Sequence, residues 1–341
     1  MSDANRLALV ADVGGTNARF ALVDIDGDDS TLQQTQTLHN ADFASLQHAI
    51  ETYLSAVGQR PKHAAIAVAC PVDTDEIRLT NRAWSFSRSE MQKSLGLDAL
   101  HMLNDFSAIA WAIPALQPQD CVQLFGPEKI TAGPVSVLGP GTGLGIGLLV
   151  GDAVKGWTVV ATEGGHASFA PVGDEERMIE QWMTARHGRT STERLLCGKG
   201  ISEIDAIYRG VPAVVSNVGP GEAGLHGSLR EPADVVAAAL DGHDLAARQT
   251  LARFCSVLGS VSGDCALIHG ARSVVIAGGI VPRFIPFLRS SAFRERFLMK
   301  GRFVAYLERI GVRVIIHPNP GLLGAAMAIR QLQSNTAKNT P

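Results

Sequence analysis

Apolar residues dominate from Leu7 to Val13, stop at Gly14-Gly15 and resume from Ala18 to Val23. Two short apolar runs about a glycine pair predict a β-hairpin, and Asp24 to Ser30 forms the turn that follows. Between Phe43 and Val57 the apolar positions Phe43, Leu46, Ile50, Leu54 and Val57 recur at helical spacing, and Ala64 to Ala69 is short and apolar enough for a buried strand. Leu100 to Leu103 is another apolar stretch, ending in Asn104-Asp105-Phe106 before a helix resumes over Ala108 to Ile113. The opening pattern then returns. Val135 to Leu138 predicts a strand, Gly139-Pro140-Gly141-Thr142-Gly143 a turn, and Leu144 to Val150 the partner strand. Leu251, Phe254, Leu258 and Val261 share one face of a long helix over about Asp244 to His269. A strand follows over Ser273 to Ala277, then the turn Gly278-Gly279, a last strand over Arg313 to His317 and a last helix over Gly321 to Gln333.

Two α/β halves, each headed by a glycine-hinged hairpin and not by a strand-to-helix turn, predict a duplicated two-domain fold with a nucleotide between the lobes. A chain of 341 residues exceeds the usual size of a single core, which makes a two-domain organisation with an interdomain ligand cleft the expectation. The boundary falls near residues 111 to 118, around Pro114 and Pro118. Residues 1–115 form a small α/β domain, 116–319 a large one, and the helix over 320–335 packs back on the first domain, leaving 336–341 as a polar tail.

Composition narrows the function classes. Thirty-five glycines with only 6% aromatic residues suit an α/β enzyme rich in tight strand-to-turn connections. Thirty basic and thirty-three acidic side chains balance to a formal charge of -3, and no Lys/Arg run exists to track a nucleic-acid backbone or an anionic membrane, so neither is an expected partner. Cys70, Cys121, Cys197, Cys255 and Cys265 are odd in number, scattered and mostly set in apolar segments, as reduced thiols of a cytoplasmic protein would be. Met1 to Arg6 lacks the basic-then-apolar order of a signal peptide, and no apolar run is expected to span a bilayer.

Three glycine turns follow strands. In Asp12-Val13-Gly14-Gly15-Thr16-Asn17 the amides of Gly14 to Thr16 can face a phosphate, although two glycines in a hairpin are most often only a turn. Asp12 adds weight, because a carboxylate ending a buried strand needs a partner, and a hydrated Mg²⁺ is a suitable one. Gly141-Thr142-Gly143-Leu144-Gly145 repeats the device for the transferring phosphoryl group, and Ala277-Gly278-Gly279-Ile280 is a third turn, suited to admitting adenosine. The chain lacks G-x-x-x-x-G-K-[ST], which excludes a P-loop, and the first loop joins two strands, which argues against dinucleotide binding.

Asp105 opens a helix, where a carboxylate is most often an N-cap; its functional alternative is a general base for an attacking hydroxyl. Asn104 would bond the same substrate. Glu163-Gly164-Gly165-His166 and Glu193, in Ser191-Thr192-Glu193-Arg194, offer acceptors and donors of the kind a sugar ring needs. Structural roles remain open for both, a satisfied histidine for His166 and a first-turn acidic residue for Glu193.

Taken in order, Leu9 to Arg19, Leu79-Thr80-Asn81-Arg82-Ala83-Trp84, Asn104-Asp105-Phe106, Gly141 to Gly145, Glu163 to His166, Gly278-Gly279-Ile280-Val281-Pro282-Arg283 and Asn319-Pro320-Gly321-Leu322-Leu323-Gly324 resemble the bacterial glucokinases of the hexokinase superfamily over nearly the whole chain. The resemblance implies an actin-like, ribonuclease H-like ATPase fold, two lobes closing on glucose, Mg·ATP as donor, and a homodimer. It implies Asp105 as base and Asn104, Glu163, His166 and Glu193 as glucose ligands. Ala11, Asp12, Val13, Gly14, Gly15 and Thr16 become a phosphate loop, with Gly141, Thr142, Gly143, Gly278 and Gly279 on the nucleotide. A neighbouring branch, the repressor/ORF/kinase family, carries a cysteine-rich zinc motif after its glycine-histidine segment; none follows His166, so no structural zinc is expected. The least family-like stretches are Gly210 to His243 and the tail.

The expected activity is therefore transfer of the γ-phosphoryl of ATP to the 6-hydroxyl of glucose, the entry step of glycolysis. Phosphorylation of another hexose, such as mannose or N-acetylglucosamine, would leave the same loops. A non-catalytic sugar sensor would need a DNA-binding segment, and about six residues precede the first strand.

Overall fold

The computed structural model describes residues 6–27, 31–79, 84–130, 132–213 and 229–338. Thirteen strands are found among them. β1 (Leu7–Val13), β2 (Asn17–Asp24), β3 (Gln33–His39), β4 (His63–Val68), β5 (Glu76–Arg78), β6 (Ser85–Ser87) and β7 (Ala99–Asn104) come first. β8 (Cys121–Phe125), β9 (Val135–Pro140), β10 (Leu144–Asp152), β11 (Gly156–Thr162), β12 (Ser273–Ile276) and β13 (Gly311–Ile315) follow. The α-helices are α1 (Leu46–Val57), α2 (Arg88–Ser94), α3 (Asp105–Ala112), α4 (Gly173–His187), α5 (Thr192–Leu195) and α6 (Gly198–Tyr208). After them come α7 (Pro232–Asp241), α8 (Leu245–Ile268), α9 (Ile285–Ser290), α10 (Phe293–Leu298), α11 (Val304–Leu307) and α12 (Pro320–Lys338).

The chain divides into two compact units, Met1–Asp120 with Leu149–Val160 and His317–Pro341, and Cys121–Leu148 with Ala161–Ile316. The first includes a segment that the apolar pattern does not assign to it. Leu149–Val160 spans the end of β10 and the start of β11, where Trp157 N donates to Gln331 Oε1 of α12 (3.4 Å). Nothing in the pattern of a strand pair reveals that its far end packs elsewhere. α12 also runs to Lys338, past the expected start of the tail at 336.

In the first unit the strand order is β3-β2-β1-β4-β7. β1 pairs antiparallel with β2 and parallel with β4, which pairs parallel with β7. Alternation along β1 sorts its side chains between two cores. Leu9, Ala11 and Val13 pack with Leu46, Ala49, Ile50 and Tyr53 of α1, whose N-terminus is capped by Ser45 accepting from His48 N. Ala8 and Val10 pack on Leu322, Ala325, Ala326 and Ile329 of α12. Asp12 is the next residue of that second row, so the strand's own period sends a carboxylate to the α12 face. The registers Val13↔Val68 and Val68↔Asn104 place the ends of three parallel strands in line. Ligands bind α/β sheets outside such carboxyl ends.

The second unit carries the order β11-β10-β9-β12-β13-β8, with β12 parallel to both β9 and β13. Its core is built on α8, capped at Asp244, which accepts from Ala247 N, with Leu251, Phe254, Val257 and Leu258 fully buried. α8 corrects one expectation from the sequence. At 24 residues and a mean hydropathy of 1.4 in its most apolar window it is long and apolar enough to cross a membrane by length and composition alone. Of that window 67% is buried, because the helix runs through the core of its unit. Thr80 to Ala83 of the Leu79–Trp84 motif, and residues 214–228 of the Gly210–His243 stretch, lie outside the described residues.

Candidate active site

The first unit brings Asp12, the Gly14–Thr16 turn, Asn104 and Asp105 to the carboxyl ends of β1 and β7. Asp105 is not the cap of α3. Asn104 holds that position, its side-chain oxygen accepting from Phe106 N (3.0 Å) and Ser107 N (3.4 Å), while its Nδ2 faces Cys70 O at 3.5 Å. Asp105 is thereby released from capping the helix. Its Oδ1 accepts from Phe106 N at 2.8 Å, and its Oδ2 takes no hydrogen bond among the described residues. Burial pushes its pKa above the ordinary 3.8, against the pull of the Phe106 amide.

Asp12 is 20% exposed and lies 3.6 Å from Arg19, its antiparallel partner in the hairpin, too far for a tight ion pair. Burial raises its pKa, the Arg19 charge lowers it, and the nearby Asp105 carboxylate raises it again. A second neighbour is invisible in the sequence. A Cβ added at Gly321, in the first turn of α12, would stand 2.8 Å from Asp12 Cγ and 2.9 Å from Oδ2. The helix N-terminus therefore closes directly on the carboxylate, and its dipole favours the negative charge.

The turn itself is braced by a residue that sequence reading passes over. Asn40 is fully buried; its Nδ2 donates to Gly14 O (2.8 Å) and its backbone N–H to Thr16 O (2.9 Å). Neither Gly14 nor Gly141 has a positive φ, and a Cβ on either would meet nothing closer than 3.5 Å. Turn geometry and internal packing thus leave the glycines unexplained, whereas a ligand lying on the backbone would explain them. Gly278 is different: its φ of 86° and the 2.3 Å from its Cβ position to Pro140 O show that it is required where the β12 turn crosses the end of β9.

In the second unit Glu163, His166 and Glu193 meet, as separate sequence motifs alone cannot show. His166 Nε2 lies 3.9 Å from Glu163 Oε2, and His166 Nδ1 lies 3.8 Å from Glu193 Oε1. Glu163 and His166 are largely exposed, at 83% and 60%, on the short helical turn Gly164–His166, so they are open to a ligand and are not satisfied core groups. Thr192 N donates to Ala167 O (2.9 Å), which docks the start of α5 on that turn. Glu193 Oε2 accepts from Leu144 N at 2.9 Å, and a Cβ on Gly143 would stand 2.5 Å from the same oxygen. Thr142 is exposed. Gly198 N donates to Gly141 O (2.9 Å), fixing the first turn of α6 against the loop.

Among the described residues no group of three or more His, Cys, Asp or Glu side chains is arranged to hold a metal. Mg²⁺ needs no such cage: it keeps several waters and uses one or two carboxylates together with phosphates. Asp12, a hard oxygen donor whose charge Arg19 compensates only loosely and Asp105 opposes, fits that requirement.

The α/β mixed-sheet fold, with glycine turns at its strand ends, is that of a sugar kinase. The chain belongs to the glucokinase family, whose model matches residues 9–332. A glucokinase from Tolumonas auensis is 43% identical over 325 residues, 95% of this chain and 97% of that one. The crystal structure of glucokinase from an Antarctic psychrotroph is 34% identical, with a TM-score of 0.83, over 95% of this chain and 98% of that one. A ROK family glucokinase from Streptomyces griseus, in complex with glucose and AMPPNP, shares the fold at 21% identity and a TM-score of 0.58, over 94% of this chain and 98% of that chain.

Proposed function

We propose that the chain transfers the γ-phosphoryl of ATP to the 6-hydroxyl of D-glucose, with Asp105 as general base. The observation that carries this reading is the uncommitted Asp105 Oδ2, on a half-buried carboxylate of raised pKa beside Asp12. Asp105 takes the proton of the 6-hydroxyl as that oxygen forms its bond to the γ-phosphorus and the bond from γ-phosphorus to the β,γ-bridging oxygen breaks, leaving glucose 6-phosphate and ADP. Asn104, Glu163, His166 and Glu193 hold the sugar hydroxyls. The amides of Gly15, Thr16, Thr142 and Gly143 take the phosphates, those of Gly14 and Gly141 being spent on Asn17 O and Gly143 O, and Gly278-Gly279 admits the adenosine. A magnesium ion at Asp12, through water, would neutralise charge on the phosphoryl oxygens. Phosphoryl transfer asks mainly for positioning and charge compensation, which suits a site without a protein nucleophile.

The five-strand order β3-β2-β1-β4-β7 is repeated by β11-β10-β9-β12-β13 within the six-stranded sheet, which adds β8 at its edge, and the repeat supports duplication, with a cleft that closes on glucose and expels water. Work in the cytoplasm, at the entry to glycolysis and as a homodimer, follows from the family resemblance.

The test is a coupled spectrophotometric assay over several hexoses and phosphoryl donors with magnesium present. Glucose with ATP should give the highest kcat/KM, and a clear preference for another hexose or donor would refute the assignment. Because Asp105 must be ionised to accept a proton and its pKa is raised, kcat should fall on the acid side with an apparent pKa above 3.8. A flat profile down to that value would remove a carboxylate of raised pKa from the rate-limiting step.

Gly321→Ala is expected to weaken apparent magnesium affinity about 10-fold, as changes behind a metal-binding group typically do. Asp12 is the group that must yield, and it is the end of a side chain, so the thermal midpoint should barely move. Magnesium titration of kcat checks this, and unchanged dependence would dissociate Asp12 from the cation.

A further inference from the structure

The candidate sugar ligands of the second unit and its phosphate loop meet on one residue, Leu144, through the two peptide groups that flank it. Leu144 begins β10 immediately after Gly141-Thr142-Gly143. Its N–H donates to Glu193 Oε2 at 2.9 Å, and its carbonyl lies against Gly165, where a Cβ would stand 2.1 Å from the oxygen. Glu193 and the Glu163–His166 turn therefore hold Leu144 from both sides. The other Glu193 oxygen, Oε1, lies 3.8 Å from His166 Nδ1 and is the one left to meet a sugar hydroxyl. Gly143 completes the contact, since its missing side chain gives Oε2 its place.

We infer that Glu193 is the residue through which hexose occupancy and nucleotide affinity are coupled, one oxygen positioning the phosphate loop and the other receiving the sugar. The inference rests on the hexose kinase reading. A hydroxyl drawn to Oε1 fixes the carboxylate, and the fixed carboxylate holds the Leu144 amide and with it the Gly141–Gly143 backbone in the geometry that takes phosphate. Coupling between two ligands is reciprocal, so the loop must act on the sugar as the sugar acts on the loop.

Three proteins, wild type, Glu193→Ala and Glu193→Gln, are titrated with the magnesium complex of a non-hydrolysable ATP analogue, with and without glucose, by calorimetry. In the wild type, glucose should tighten analogue binding about 5-fold or more. Glu193→Ala should weaken analogue binding about 10-fold with no sugar present, since the loop amide loses a charged acceptor. Glu193→Gln keeps an oxygen for Leu144 N, so it should restore analogue affinity while glucose binding stays impaired. An ordinary sugar ligand, or a merely structural residue, would not give that split.

Gly143→Ala supplies the converse arm. Its Cβ displaces only the tip of Glu193, so the fold should survive, yet glucose Kd should rise about 5-fold or more although residue 143 is assigned to phosphate. Sugar-free analogue affinity unchanged in Glu193→Ala, or glucose affinity unchanged in Gly143→Ala, overturns the coupling. Failure of the kinase reading is separate: the wild type would not phosphorylate glucose, whereas the sugar-free analogue titration would still report on the strut between Glu193 and Leu144.

Discussion

Asp105→Asn should lower kcat by about 10²- to 10⁴-fold, the contribution of a well-placed general base, while glucose Kd changes little. In barrier terms that is about 3 to 5 kcal/mol. The amide keeps the shape of the carboxylate and still accepts from Phe106 N, and Asn104 still caps α3, so the lost quantity is the proton acceptor alone. Stability should move the opposite way. A carboxylate whose pKa is raised by burial favours the fold fully below its unfolded pKa, and that contribution disappears as pH climbs through the folded value. At pH 7 the ionised Asp105 is thus a net cost, and replacing it by asparagine should raise the thermal midpoint there but not near pH 3. Rapid-quench kinetics with thermal melts at the two pH values measure both effects. Near-normal turnover would take Asp105 out of the chemistry, and a midpoint lowered at pH 7 would contradict the burial argument.

Much of this site was legible because its signals are local. The β1–β2 hairpin, α1 and α8 announce themselves through period and glycine turns, and Ser45 and Asp244 stand where helix caps belong. β3 does not: Gln33–His39 is a polar edge strand, exposed along most of its length, held by its pairing to β2 and without an apolar rhythm of its own. Residue types in the site were equally readable, since carboxylates and glycines at strand ends carry chemical meaning wherever they fall. Their division of labour was not. Asn104 or Asp105 could cap α3, and only the backbone decides between them. The packing of Gly321 on Asp12 joins opposite ends of the chain, and the bond from Leu144 to Glu193 joins different elements. Such contacts are products of tertiary packing, which periodicity cannot report.

A single methyl group at Gly324 should separate these carboxylates. Gly324 lies in α12 where that helix meets α3, and a Cβ there would stand 1.6 Å from Ala108 O and 2.5 Å from Ala108 C. Those are backbone atoms of the helix that begins with Asp105, and they cannot turn aside as a side chain can. Two terms compete in Gly324→Ala. Alanine gains about 1 kcal/mol of helix propensity over glycine, whereas overpacking of this kind costs about 3 kcal/mol. The clash wins, and a net loss of about 2 kcal/mol is expected, from the difference of the two. The functional cost is larger. α12 also carries Gly321 against Asp12, so separating α12 from α3 shifts the cation site and the base relative to each other. A misplacement of about 1 Å can cost about 10²-fold in rate, which sets the expected fall in kcat/KM. Chemical denaturation and steady-state kinetics on the same preparation check both, and a Gly324→Ala protein with wild-type stability and rate would mean that this backbone contact positions neither carboxylate.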